Sequence, residues 1–179
     1  AAGSTSFFNT AQGVMAQTVS STTTRFVRDP QGQLIAMRAG ANTYWYLPDG
    51  LGSIIGLVVG AGARVATYTY DPYGNQLTAT GGQASASPWR YTGGYHDTST
   101  GLTKLGTRYY DPTQGRWTQP DPSSMDAHYA YAGNNPVKRV DTEGTFFETA
   151  WDIGNVIADI AAVANWNSST TTTEKVVDA

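Results

Sequence analysis

Side chains suited to covalent or metal chemistry are scarce in this chain: its 179 residues include no cysteine and two histidines, His96 and His128. A thiolate nucleophile, a disulfide framework and a thiolate metal site are therefore excluded. The histidines lie too far apart in sequence to form a recognisable metal pair, and no nucleophile elbow accompanies them. Both are read as structural, and no metal or cofactor is called for. The rings of 11 tyrosines and 5 tryptophans could stack on sugars, but at strand spacing they first predict sheet packing. Asn167-Ser168-Ser169 is a glycosylation acceptor pattern, so glycans enter as a covalent or a bound partner class.

Charge narrows the partners further. Eleven Lys and Arg against 14 Asp and Glu give a net charge of −3, and the cations are scattered rather than massed. That argues against nucleic acid, whose binding depends on clustered cations on phosphates. No apolar run reaches the ~18 residues of a membrane span, and the first residues lack a signal-peptide pattern. The start at Ala1-Ala2-Gly3 fits a mature protein trimmed from a secreted precursor or larger polyprotein, or a trimmed recombinant chain.

The element that would position any site is a recurring hairpin. Phe26-Val27-Arg28-Asp29-Pro30-Gln31-Gly32, Tyr68-Thr69-Tyr70-Asp71-Pro72-Tyr73-Gly74 and Arg108-Tyr109-Tyr110-Asp111-Pro112-Thr113-Gln114-Gly115 share an aromatic strand, an Asp-Pro corner and a glycine. Proline presets φ at the corner, the aspartate side chain caps backbone N–H groups two residues on, and glycine supplies the positive φ that closes the reversal. Asp29, Pro30, Gly32, Asp71, Pro72, Gly74, Asp111, Pro112 and Gly115 are thus the predicted turn residues. Flanking segments alternate as half-buried strands do, with Ala66, Tyr68 and Tyr70 against Val65, Thr67 and Thr69. The Gly/Ala/Ser/Gln stretch from Gly81 to Ser87 is expected to be an exposed loop.

The ends differ from this middle. Residues 1–24 read as a Thr-rich arm, residues 25–145 as the repeat core, and 167–179 as a polar Thr-rich tail. Between them, 146–166 carry a helical period with Ile153, Val156, Ile157 and Ile160 on one face, and Thr145 with Glu148 would form its capping box.

Tyr44 to Tyr46, Asp49-Gly50-Leu51-Gly52-Ser53 and Tyr68-Thr69-Tyr70-Asp71-Pro72-Tyr73-Gly74 look like consecutive YD repeats. Downstream, Tyr91-Thr92-Gly93-Gly94-Tyr95-His96-Asp97, Thr100-Gly101-Leu102, Arg108 to Pro112 and Gly115-Arg116-Trp117 resemble the RHS repeat-associated core. Gln119-Pro120-Asp121-Pro122 and Asn134-Asn135-Pro136-Val137, with Asp141 and Gly144, resemble the plug that closes RHS shells. The resemblance, to the RHS/YD-repeat family of polymorphic toxins and teneurin-like shells, covers roughly residues 20 to 145. It implies an all-β fold of antiparallel hairpins curling into a partial shell or barrel-like wrap, with residues 117–145 as an inward plug, followed by one C-terminal amphipathic helix.

It also implies chemistry. Toxin-associated members cut their own chain with two plug carboxylates, which match Asp121 and Asp141 here, with cleavage after Thr145. The pattern departs from the family's Asp-Pro-x-Gly-Leu: this chain has Asp141-Thr142-Glu143-Gly144-Thr145. The two carboxylates either share one proton in an aspartic dyad or cap local backbone groups. Three functions follow. The first is a secreted structural shell protein that assembles through strand edges into a larger shell or fibre, its Thr-rich segments 14–24 or 168–178 adding to a neighbour. The second is the C-terminal core of a toxin that encloses and autoproteolytically releases a payload. The third is a cell-surface adhesion or glycan-binding module. The expected partners are a homo-oligomer or polymer, the remainder of a larger RHS chain, or glycans, at a secreted or cell-surface location.

Overall fold

The computed structural model describes residues 5–121, 128–144 and 148–149. Its main layer is an eight-stranded antiparallel meander in sequence order: β1 (Thr5–Thr10), β2 (Gly13–Val19), β3 (Thr22–Arg28), β4 (Leu34–Ala39), β5 (Asn42–Pro48), β6 (Ile54–Val58), β7 (Arg64–Tyr70) and β8 (Gln76–Thr80). A second sheet joins β9 (Tyr95–His96), β10 (Thr103–Leu105), β11 (Arg108–Asp111) and β12 (Arg116–Trp117) in the order β12-β11-β10-β9. The strand β13 (Arg139–Val140) pairs with β14 (Glu148–Thr149). Apart from two short 3-10 turns at Tyr91–Gly93 and Ala132–Asn134, the described elements are all strands, as the hairpin spacing predicts.

The Asp corners carry the meander. Asp71 Oδ1 accepts the backbone N–H groups of Tyr73 and Asn75, each at 2.9 Å, and Gly74 closes the turn at φ +86°. Asp29 and Asp49 repeat the device on Gln33 and on Leu51 and Ser53. Asp111 caps Thr113 and Gln114. The Asp49 corner has Gly50 where the others have proline, so the side-chain cap rather than the ring is the shared element.

Each of these three corners in the main sheet is followed by a one-residue bulge. The register slips between Val27 and Arg28, Leu47 and Pro48, and Thr69 and Tyr70, which leaves Ile35, Ile55 and Leu77 as extra residues. A bulge adds one residue to the alternation and raises local twist. It is why Ile54 and Leu57, three apart, are both buried at 1% and 0% exposure.

One face of the sheet is the core. Phe26, Met37, Tyr44, Tyr46, Leu57 and Tyr68 pack beneath Trp89, whose ring meets Phe26 edge-on at 5.3 Å. Each such burial contributes roughly 1.5–3 kcal/mol. The cover is the Gly81–Tyr95 crossing, held by the Tyr68 hydroxyl donating to Ala84 O and by Arg90, which lies 4.1 Å over the Tyr68 ring. The expected exposed loop is thus only partly exposed: Gly81 and Gly82 face outward, whereas Ala84 and Ala86 pack on the core and Ser87 is buried. The strand face needed a lid, and this stretch was the next chain available.

Two further expectations change. The predicted Thr-rich arm is not separate: β1, β2 and β3 take residues 5–24 into the meander. Its first corner lacks aspartate, and Thr10 Oγ1 accepts the Gln12 N–H in its place. The predicted helix start is overturned at Glu148–Thr149, which form a strand against Val140 and Arg139. Backbone pairing to β13 prevails at these two residues over the local helical period, and Thr145 of the expected capping box lies outside the described residues. Residues 146–147 and 150–166 of that helix and the 167–179 tail lie outside the described residues.

Candidate acidic site in the plug

The second sheet and plug fold over the Asp-corner margin of the meander. Tyr91 donates its hydroxyl to Pro72 O and Tyr110 donates to Tyr73 O. Tyr91, Leu105, Tyr110, Trp117, Tyr131 and Ala132 form a second core, with Tyr110 and Tyr131 ring centres 4.4 Å apart. Burial pushes the Tyr131 hydroxyl up to about 12, against the lowering pull of the Tyr91 and Thr92 side chains and the Asp141 backbone. That hydroxyl meets no partner at full hydrogen-bond geometry. Burial likewise holds Tyr91 and Tyr110 far above the ordinary tyrosine range.

The acidic site stands on this aromatic floor. Alternation along β11 turns Arg108 and Tyr110 inward and Tyr109 outward. Asp121 follows β12 and is fixed by its own N–H donating to His128 O at 2.8 Å. Asp141 directly follows β13. Arg108 Nη2 reaches Oδ2 of Asp121 at 2.9 Å and Oδ2 of Asp141 at 3.0 Å, all three side chains being 5–6% exposed. The two carboxylate oxygens are therefore separated by no more than those two distances combined. The guanidinium lies 4.1 Å over the Trp117 ring, while its Nε and Nη1 are buried without a hydrogen-bond partner. Trp117 thus supplies a π face in a place that water cannot reach.

The backbone just downstream is clamped. Thr107 N donates to Glu143 O at 3.0 Å and the Thr107 hydroxyl donates to it at 3.3 Å. A Cβ on Gly106 would fall 2.0 Å from Glu143 O, and one on Gly144 would fall 2.9 Å from Leu105 O. Two glycines thus allow the β10–β11 turn and the Asp141–Gly144 segment to touch backbone to backbone.

The structure therefore brings Asp121 and Asp141 together, although 20 positions separate them in the chain. Thr145, the expected cleavage position, and Asn167 lie outside the described residues. Asp29, Pro30 and Gly32, Asp71, Pro72 and Gly74, and Asp111, Pro112 and Gly115 all sit in hairpin corners between strands. His96 is half-buried on β9, held below the ordinary histidine value by burial and by Arg90, with Asp97 pulling the other way. His128 is exposed. Among the described residues no cluster of three or more metal-ligating side chains occurs, and no helix is long and apolar enough to cross a membrane.

Arg108 is the site residue that sequence reasoning missed. Its signal was present: a cation at an inward strand position needs acidic company. Arg28 was missed in the same way. It donates to Val14 O and Gly32 O while lying 4.6 Å over Trp89, tying two corners to the core.

Chemically, Arg108 holds the two carboxylates side by side, the placement that a proton-sharing acid pair requires.

Comparison with known proteins agrees with this architecture. The Teneurin YD-shell family model matches residues 16–139. The chain is 36% identical over 152 residues to Salivary gland surface protein 1 of Aedes aegypti, covering 83% of this chain and 4% of that protein. It is 36% identical over 121 residues to the tRNA nuclease WapA of Bacillus subtilis, covering 63% of this chain and 5% of that one. Teneurin-4 of Mus musculus is 31% identical over 129 residues, covering 66% of this chain and 5% of the relative. Among solved structures, the complex TcdB2-TccC3-Cdc42 superposes with a TM-score of 0.63 at 24% identity, over 73% of this chain and 7% of that one. The chain thus spans about a twentieth of the length of these three curated relatives. With its meander of Asp-cornered hairpins and closing plug, it is an RHS/YD-repeat protein and belongs to the teneurin YD-shell family.

Proposed function

We propose that this chain is the closing segment of a secreted or cell-surface YD shell, extended by strand addition at the open edges of its main sheet into a larger shell or fibre. The observation that carries the reading is that, among the described residues, β1 and β8 each pair on one side alone, and both are exposed along their full length. Unpaired strand edges present rows of N–H and C=O groups that take up another strand. The donor is not residues 14–24, which are already paired within the meander; residues 168–178 or further repeats remain as donors. The extracellular location is supported by the kinds of protein the relatives are, among them a salivary gland surface protein.

Light scattering and negative-stain microscopy test it. The parent chain is expected to form oligomers or filaments. Leu77→Lys, at a bulge residue 64% exposed on edge strand β8, is expected to leave monomers of unchanged melting temperature. A parent chain that stays monomeric at every concentration rejects strand-edge assembly.

A second reading, self-cleavage by Asp121 and Asp141 after Thr145, is favoured by the convergence of both carboxylates on Arg108. One carboxyl would polarise the scissile carbonyl while the other activates water. Intact mass spectrometry is then expected to give a fragment ending at Thr145, and Asp121→Asn or Asp141→Asn to abolish it, because an amide cannot cycle the proton. Continued cutting in both variants would remove the aspartyl assignment.

A further inference from the structure

The face of the main sheet opposite the core carries a pattern that neither shell closure nor self-cleavage uses. Along one row, Phe8 stands opposite Ala16, Ala16 opposite Arg25, and Arg25 opposite Arg38. The adjoining row runs Val27, Ala36, Trp45 and Val58. Phe8 is 64% exposed and Trp45 45%, and Val27 and the bulge residue Ile35 are exposed beside them. Like charges placed directly across two strands repel. Neither Arg25 nor Arg38 forms a hydrogen bond or ion pair with any described residue that would offset this. Aromatic and arginine side chains grouped in an exposed apolar patch are the composition of an interface centre.

We propose that this outer face, centred on Arg25, Arg38 and Trp45, docks a protein segment that offers carboxylates among apolar side chains. Charge and apolar contact together select that partner. Two unpaired guanidiniums take carboxylates in bidentate fashion. Phe8, Val27 and Ile35 need apolar contact, which a sulfated sugar does not provide. Among the described residues a second copy is a poor match, because all seven aspartates are already engaged and Glu143 is a single exposed carboxylate. Asp29, Asp49, Asp71, Asp97 and Asp111 cap their own turns, and Asp121 and Asp141 hold Arg108.

The test is fluorescence anisotropy with a short labelled peptide of glutamates interspersed with leucines, set against its lysine counterpart and heparin. The 179-residue chain is expected to bind the acidic peptide saturably and more weakly as salt rises. Arg25→Glu turns the like-charge pair into an attractive one. The variant is therefore expected to melt no lower than the parent yet to bind at least about tenfold more weakly. Trp45→Ala is expected to weaken binding while keeping the salt dependence. Equal binding by Arg25→Glu, preference for heparin over the peptide, or no binding at all would each overturn the proposal. So would concentration-dependent self-association abolished by Arg25→Glu, which would make the partner another copy. Because Leu77→Lys lies on β8, repeating the titration on that variant separates failure of this docking face from failure of edge assembly.

Discussion

Arg108 decides what the plug can hold. A buried guanidinium facing two carboxylates is strongly coupled, and removing one member of such a cluster leaves uncompensated charge, typically at a cost of about 3–5 kcal/mol. Arg108→Ala is expected to lower stability by that order in urea denaturation, whereas Asp141→Asn, which keeps the shape and leaves Arg108 with Asp121, is expected to lower it much less. Equal and small losses in both would mean that the ion pairs at 2.9 and 3.0 Å contribute nothing. The two aspartates were legible as candidates from the plug motifs, because those motifs are local. Arg108 lies within a repeat motif, but its role depends on a partner 33 positions away.

Each Asp corner is built from one polar cap and one glycine, and the structure separates their contributions. Asp71→Ala removes the caps on Tyr73 and Asn75 and the Asn75 amide contact at 2.7 Å. A loss of about 1–2 kcal/mol is expected. Gly74→Ala meets a harder obstacle, because φ is +86° and the new Cβ would lie 2.5 Å from the Tyr91 ring. A loss of about 2–4 kcal/mol is expected, with the second sheet displaced from the corner. Thermal melting checks both, and the order matters: a glycine variant milder than the aspartate variant would show that Tyr91 does not press on the corner. The corners and their strands could be read from the sequence because turn chemistry is decided by a few adjacent residues. The bulges at Ile35, Ile55 and Leu77 could not, since a register slip is a property of two strands.

Across the chain, two aromatic cores are joined by the Asp-corner margin, and this arrangement ties stability to tyrosine protonation. Burial raises Tyr46, Tyr70, Tyr91 and Tyr110 well above the ordinary value of 10.0, and raises Tyr131 to about 12. A raised folded-state value means that the native chain retains protons which the unfolded chain releases. The stabilisation is therefore complete below pH about 10 and falls as pH rises through the shifted values. Cooperative unfolding above pH about 10 is expected, with tyrosinate absorbance appearing together with loss of β circular dichroism. Tyrosinate that forms gradually while the sheet stays intact would contradict the burial of these hydroxyls.

Residue order alone was sufficient for the all-β class, the Asp corners and the strands between them, because these follow from φ preferences, side-chain caps and alternation within a few positions. It also carried the family through its motifs. It misled where a segment's neighbours overrule its own preference: the Thr-rich start joined the sheet, and Glu148–Thr149 paired with β13 instead of opening a helix. The closure of the plug, the meeting of Asp121 and Asp141 on Arg108, and the grouping of Arg25, Arg38 and Trp45 on one face belong to the folded chain. Each is a contact between residues from separate strands or loops, and such contacts come into being when register and packing bring those elements together.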